Sequence, residues 1–273
     1  MAKGPFKDIA THRAYPYIEM MRISCLQRGI DQAQWIYAPD RNMTRAEVVK
    51  TVAKIVGAYF DDLDITTEDQ KYPSATQFAD VAQDYWFAWY ADYAAKKWLL
   101  DGLVTVKNGK QYLSPDAEIT RYEAIKIMML AYDMIDKTKI SLAGVSVMGD
   151  VVDANNPYYQ YIRKAEVLGF ISGIPQTNGG YNFVGQKDIT RAEFAKIISV
   201  PFTEQLFDLE DLVLQSPLYA SIQVALEQSN TDDETFLNAL FDELDELSDA
   251  QFIKQYKIQK DAFFEKLYEM LQK

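Results

Sequence analysis

The chain has 273 residues, 48% of them hydrophobic, and a net charge of −12. That length and composition suit one large or two modest globular domains. No apolar run approaches the roughly 20 residues that span a bilayer, and the acidic balance argues against nucleic-acid binding, which needs a basic stripe. His12 is the only histidine and Cys25 the only cysteine. Ser-His-Asp triads, Cys-His pairs and multi-histidine zinc sites are therefore excluded, as is an internal disulfide. With 40 acidic residues, no carboxylate pair stands out as catalytic. No enzyme, cofactor or metal is expected. Met1-Ala2-Lys3-Gly4-Pro5 runs directly into the first motif without a secretory leader, which leaves a cytoplasmic protein or a secreted one written without its leader.

The chain repeats itself. Phe6-Lys7-Asp8-Ile9 returns as Phe78-Ala79-Asp80-Val81 and Met148-Gly149-Asp150-Val151. An aromatic-rich helical stretch follows each: Ala14-Tyr15-Pro16-Tyr17-Ile18, Phe87-Ala88-Trp89-Tyr90-Ala91 and Tyr158-Tyr159-Gln160-Tyr161-Ile162. Beyond these stand Gly29, Gly102 and Gly173, placed as left-handed C-terminal caps. A turn segment then leads to Thr44-Arg45-Ala46-Glu47, Thr120-Arg121-Tyr122-Glu123 and Thr190-Arg191-Ala192-Glu193. Thr followed three residues later by Glu is a capping box, so Thr44, Glu47, Thr120, Glu123, Thr190 and Glu193 are explained by helix initiation. Arg is not, because a cation in the first turn opposes the helix dipole. Three recurrences against local preference mark Arg45, Arg121 and Arg191 for work outside their own helices. The helices they open carry apolar faces: Val48, Val52, Ile55 and Val56; Ile125, Met128, Met129 and Tyr132; Phe194, Ile197 and Ile198. One helix pair cannot bury such a stripe alone; three can, around a shared axis.

The units span residues 1–60, 78–135 and 148–201. The acidic insert 61–77 reads as a solvated linker. A calcium loop starting at Asp62 fails there, since Thr67 stands where Gly is needed and Pro73 where Glu is needed. The linker 136–147 includes Ile140-Ser141-Leu142-Ala143-Gly144-Val145, apolar enough to pack as a short extended piece. Residues 202–273 hold 16 acidic and 5 basic residues, whereas 1–201 hold 24 and 23, which places a boundary near Pro201. Thr231 and Ser248 open capped helices in this acidic module, which reads as a helical appendage or a docking surface for a protein partner.

The ordered landmarks, with Asp188-Ile189-Thr190-Arg191-Ala192-Glu193-Phe194 the cleanest copy, make residues 6–200 resemble the S-layer homology (SLH) family. The resemblance implies a mainly α fold: a pseudo-threefold SLH trimer of helix-loop-helix repeats around a central three-helix bundle. It also implies cell-envelope localisation and non-covalent anchoring, by binding secondary cell-wall polysaccharide, often pyruvylated, in grooves between the repeats. Arg45, Arg121 and Arg191 would then meet a ligand carboxylate, for which Arg is the bidentate partner, with the helix N-terminus adding to the anion site. The competing reading is that each Arg pairs with an acidic residue of the neighbouring unit. Asp8, Asp80 and Asp150 would accept from sugar hydroxyls or form turns. Gly29, Gly102 and Gly173 would allow close approach of ligand or chain. Trp86 offers a stacking platform; Arg13 and Pro157 stand at its position in the other units, and Tyr122 replaces the usual Ala. The alternative to an anchor is a surface assembly protein whose repeats and C-terminal helices contact other subunits.

Overall fold

The computed structural model describes residues 6–31, 33–61, 77–136, 139–144, 146–177 and 179–202. The acidic C-terminal module and most of the 61–77 insert lie outside the described residues. Each unit contributes a short helix, a hairpin or bridged loop, and a capped helix. The first unit holds α1 (Tyr15–Ile23) and α2 (Arg45–Asp61). The second holds α3 (Ala88–Lys96), β1 (Thr105–Lys107), β2 (Lys110–Tyr112) and α4 (Arg121–Ile135). The third holds α5 (Tyr159–Val167), β3 (Ile174–Pro175), β4 (Tyr181–Asn182) and α6 (Arg191–Ser199). β1–β2 and β3–β4 are antiparallel pairs, and an Asp31–Ile36 bridge takes their place in the first unit. Residues 139–144 form no strand, although Ile140 and Leu142 are half-buried.

All three capped helices start as their sequence dictates. The hydroxyls of Thr44, Thr120 and Thr190 accept from the backbone N–H of Glu47, Glu123 and Glu193 at 3.2–3.3 Å. The glutamates accept in return from the threonine N–H groups at 3.0–3.1 Å.

The short helices end differently from the sequence expectation. Gly29, Gly102 and Gly173 do not cap them. The left-handed residues are Cys25 (φ 56°), Trp98 (φ 60°) and Gly169 (φ 74°), four positions earlier. There Leu26, Leu99 and Phe170 donate back to the carbonyls of Met21, Ala94 and Ala165 at 2.9–3.0 Å, closing Schellman motifs. These bonds offset the roughly 1–2 kcal/mol that left-handed backbone costs a residue with a Cβ. Gly29 and Gly173 serve close packing instead. A Cβ on Gly29 would lie 2.6 Å from the Ile36 carbonyl oxygen, and one on Gly173 would lie 2.7 Å from Tyr181 Cβ. Gly102 is left-handed, at φ 82°.

The units are joined in a ring. Met43 N–H donates to Ile189, Ile189 N–H to Ile119, and Ile119 N–H to Met43, at 2.9–3.0 Å. Across each seam the capped helix of one unit packs on the short helix of the next: α2 on α3, α4 on α5, α6 on α1. α4 also touches both α2 and α6. One continuous apolar core results, and it contains every residue of the three apolar faces read from the sequence.

Candidate functional site

The three seams bring the repeated arginines and glutamates together. Arg45 Nη2 lies 2.6 Å from Glu123 of the second unit. Arg121 faces Glu193 of the third unit at 3.5 Å, and Arg191 faces Glu47 of the first at 3.7 Å. The acid of each capping box thus serves its own helix and the preceding unit's arginine together. The guanidinium groups also satisfy backbone carbonyls of the next unit. Arg121 Nε donates to Phe183 and Arg191 Nε to Tyr37, both at 2.9 Å, and Arg191 Nη2 donates to Arg28 at 2.5 Å. Arg121 also lies over the Phe183 ring at 4.9 Å, and Arg191 over Tyr37 at 4.4 Å.

Arg121 and Arg191 are buried, at 5% and 4% exposure. Burial pulls both below the usual arginine range, opposed by the Glu193 charge at Arg121 and by Tyr37 and Glu47 at Arg191. Burial raises Glu193, but hydrogen bonds from Lys187 and the Thr190 N–H and the charge of Arg121 outweigh it, so Glu193 sits below its ordinary value.

These arginines are therefore not exposed first-turn cations, as an isolated helix would have them. The neighbouring-unit reading of the sequence describes their contacts. Nor do the helix N-termini form open anion sites. The N–H groups of Arg45, Arg121 and Arg191 donate to Ala117, Lys187 and Arg41 of the adjoining unit, and those of Ala46, Tyr122 and Ala192 donate to Pro115, Gly185 and Pro39, all at 2.9 Å. The third N–H is held by the capping threonine. The first-turn donors that would bind an anion are all occupied.

Asp8, Asp80 and Asp150 hold the turns ahead of these helices. Their carboxylates accept from Tyr37 and Ala38, from Leu113 and Ser114, and from Phe183 and Val184, at 2.6–3.0 Å. Ala38, Ser114 and Val184 are left-handed, at φ 54–59°, so each aspartate clamps a disfavoured backbone. Asp80→Ala removes the acceptor of two N–H groups and is expected to cost about 1.5–3 kcal/mol, with Asp80→Asn recovering part. Urea denaturation checks this; an unchanged midpoint would mean that the turn holds itself.

A second repeated cation was missed in the sequence. Lys50, Lys126 and Lys196 each stand six residues after the capping threonine. Lys50 Nζ lies 5.3 Å from the ring centres of both Trp86 and Tyr90. Lys126 lies over Tyr158 and Tyr161 and pairs with Asp101 at 2.7 Å. Lys196 donates to Ser172 at 3.1 Å. The signal was available, because a helix residue six past its cap shares a face with the second helical position. Trp86 is 40% exposed at the seam between the first two units. Among the described residues no cluster of three potential ligands could hold a metal, and no helix is long and apolar enough to cross a membrane.

No family model matches the chain. It is similar to an amylopullulanase of Thermoanaerobacterium thermosulfurigenes, 27% identical over 193 residues, which are 71% of this chain and 9% of that protein. It is also similar to cell surface glycoprotein 1 of Acetivibrio thermocellus, 29% identical over 176 residues, 60% of this chain and 6% of the relative. A cellulosome-anchoring protein of Acetivibrio thermocellus is 28% identical over 165 residues, again 60% of this chain and 33% of the relative. The chain therefore spans a third or less of the length of these relatives. Two of these relatives are named for the cell surface or for anchoring and one for an enzyme activity, and the chain matches a minor part of each.

Proposed function

We propose that this chain is a non-catalytic module of the cell envelope, which anchors by binding an acidic secondary cell-wall polysaccharide in the seams between its three units. The observation that carries this reading is that one stretch of chain resembles minor portions of proteins with unlike names: an amylopullulanase, a surface glycoprotein and an anchoring protein. A segment shared by proteins of different activity is not the source of any one activity. It is the kind of part that places its bearer. The ring of Arg–Glu pairs supports the pseudo-threefold, SLH-like architecture that goes with this role. The cations and aromatic rings along the seams suit a ligand with carboxylates and sugar faces. Co-sedimentation of the full chain with purified cell walls tests the reading. The chain is expected to pellet with intact walls and to stay in solution with walls stripped of their secondary polysaccharide. Equal pelleting with both would place its partner elsewhere and favour a surface assembly role.

A further inference from the structure

The joint between the second and third units differs from the other two in two ways. One difference is steric. Tyr122 stands where the other capped helices have Ala46 and Ala192, and it faces Gly185 where they face Pro115 and Pro39. A Cβ on Gly185 would fall 2.0 Å from the Tyr122 ring, and that ring stacks on Tyr158 with centres 4.8 Å apart. The other difference is one of charge. Ahead of the capping threonines, at the same distance in each unit, stand Arg41, Ala117 and Lys187. Arg41 pairs with Glu47, and Lys187 pairs with Glu193 at 2.9 Å. Glu47 and Glu193 therefore each meet a cation of their own unit besides the arginine of the preceding one. Ala117 supplies none, and Glu123 meets Arg45 alone among the described ion pairs.

The same joint gathers carboxylates. Asn42, Glu118 and Asp188 hold one position in the three units, each directly ahead of a residue of the backbone ring, Met43, Ile119 or Ile189. Glu118 lies opposite Thr44 across an antiparallel bridge, and Asp188 lies opposite Thr120. The Asp188 carboxyl is within hydrogen-bonding reach of the Glu118 carboxyl, and Glu123 on α4 lies within range of its charge. Two ionised carboxylates in contact repel one another; one proton between them turns the contact into a hydrogen bond. The cations nearby are engaged elsewhere. Lys187, beside Asp188 in sequence, holds Glu193; Arg45 on α2 holds Glu123; Arg41, ahead of α2, holds Glu47. The first unit carries the uncharged Asn42 at this position. Desolvation, then the hydrogen bond and charge of Glu118, then the charge of Glu123 raise Asp188 above the ordinary aspartate value.

We infer that Glu118 and Asp188 form a proton-sharing pair at the joint of the second and third units, so that this joint tightens as the medium turns acidic and loosens toward neutrality. A carboxyl raised in the folded chain binds its proton more tightly there than in the unfolded chain. Its contribution is fully present below the unfolded value and is lost as pH rises through the folded value. Glu193 acts in the opposite direction, since it is held below its ordinary value. The pair therefore shows in the difference between the parent and variants altered at this joint, not in the parent's own profile. It belongs to the joint and is independent of what the seams bind.

The test follows the melting temperature of the full chain from about pH 4 to about pH 8, as the parent and as Asp188→Asn, Glu118→Gln, Ala117→Arg and the control Asp84→Asn. None of these side chains is buried, so each variant is expected to fold. Asp188→Asn and Glu118→Gln remove the repulsion. Each should raise the melting temperature by about 1–3 °C at neutral pH, with the gain fading toward the acid end. Ala117→Arg supplies the cation that the other two caps have and should act in the same way. Asp84→Asn should follow the parent throughout. Gains that persist undiminished in acid, gains matched by the control, or no gain from any of the three variants overturn the inference. A carbon-13 NMR titration of the Asp188 carboxyl in the parent chain checks it independently. Its midpoint should lie above the usual aspartate value of about 3.9; a midpoint at or below that value overturns the inference as well.

Discussion

Arg191→Ala is expected to lower folding stability by about 2–5 kcal/mol, because it takes the donor from two backbone carbonyls at the seam, while Glu47, a quarter exposed, keeps Arg41 as its partner. The substitution strips the Tyr37 and Arg28 carbonyls of their guanidinium donor and opens the space over the Tyr37 ring. Each buried acceptor left unpaired costs roughly 1–3 kcal/mol. Arg121→Ala should behave alike, since its Nε holds the Phe183 carbonyl and Glu193 faces it. Arg45→Ala should cost less, because its carbonyl bonds are longer and its side chain more exposed. Lysine at 191 recovers only part of the loss, since it lacks the planar fork that serves two carbonyls together. Melting temperature is the readout, with a fall of roughly 10 °C for Arg191→Ala. A change under about 2 °C would mean that the ring of pairs contributes nothing to the fold.

The second large effect is a coupling. Gly185→Ala forces a methyl group into the Tyr122 ring and should cost about 1–3 kcal/mol. Tyr122→Ala removes a ring stacked on Tyr158 and should cost about 2–4 kcal/mol. Made together, they rebuild the small-residue contact that the other two seams already have. The double variant should therefore be less destabilised than the sum of the singles by at least about 1 kcal/mol. Strict additivity would show that Tyr122 and Gly185 do not answer one another.

What the sequence revealed was what is local. The capping boxes at Thr44, Thr120 and Thr190 could be read because both partners sit within one turn. The apolar faces could be read because burial follows the helical period. The arginines could be singled out, but their partners could not be chosen: Arg45 and Glu123 are 78 residues apart, and a ligand carboxylate would satisfy the same chemistry. Only the ring closure supplies a neighbouring acid at each seam. The phrase did hold a hint, since an Arg and a Glu repeated together are ready partners once units follow one another around an axis. The helix ends were misplaced because left-handed caps fell on Cys25 and Trp98, residues that rarely adopt them, while glycine stood nearby for packing. The β1–β2 hairpin went unread although Asn108-Gly109, both left-handed, is a strong hairpin signal. The exchange of Ala for Tyr at 122 was visible, but its answer in the exchange of Pro for Gly at 185 required the two units to be seen face to face.

The most direct measurement of the central claim is calorimetric titration of the full chain with secondary cell-wall polysaccharide, before and after removal of its acidic substituents, at low and high salt. If the seams bind an acidic glycan, affinity should fall at least tenfold when the carboxylates are removed, since a charge-assisted contact contributes about 1.5–3 kcal/mol. Binding to the intact polymer should also weaken as salt screens the cations. Equal affinity for the acidic and neutral polymers, unchanged by salt, would contradict the account.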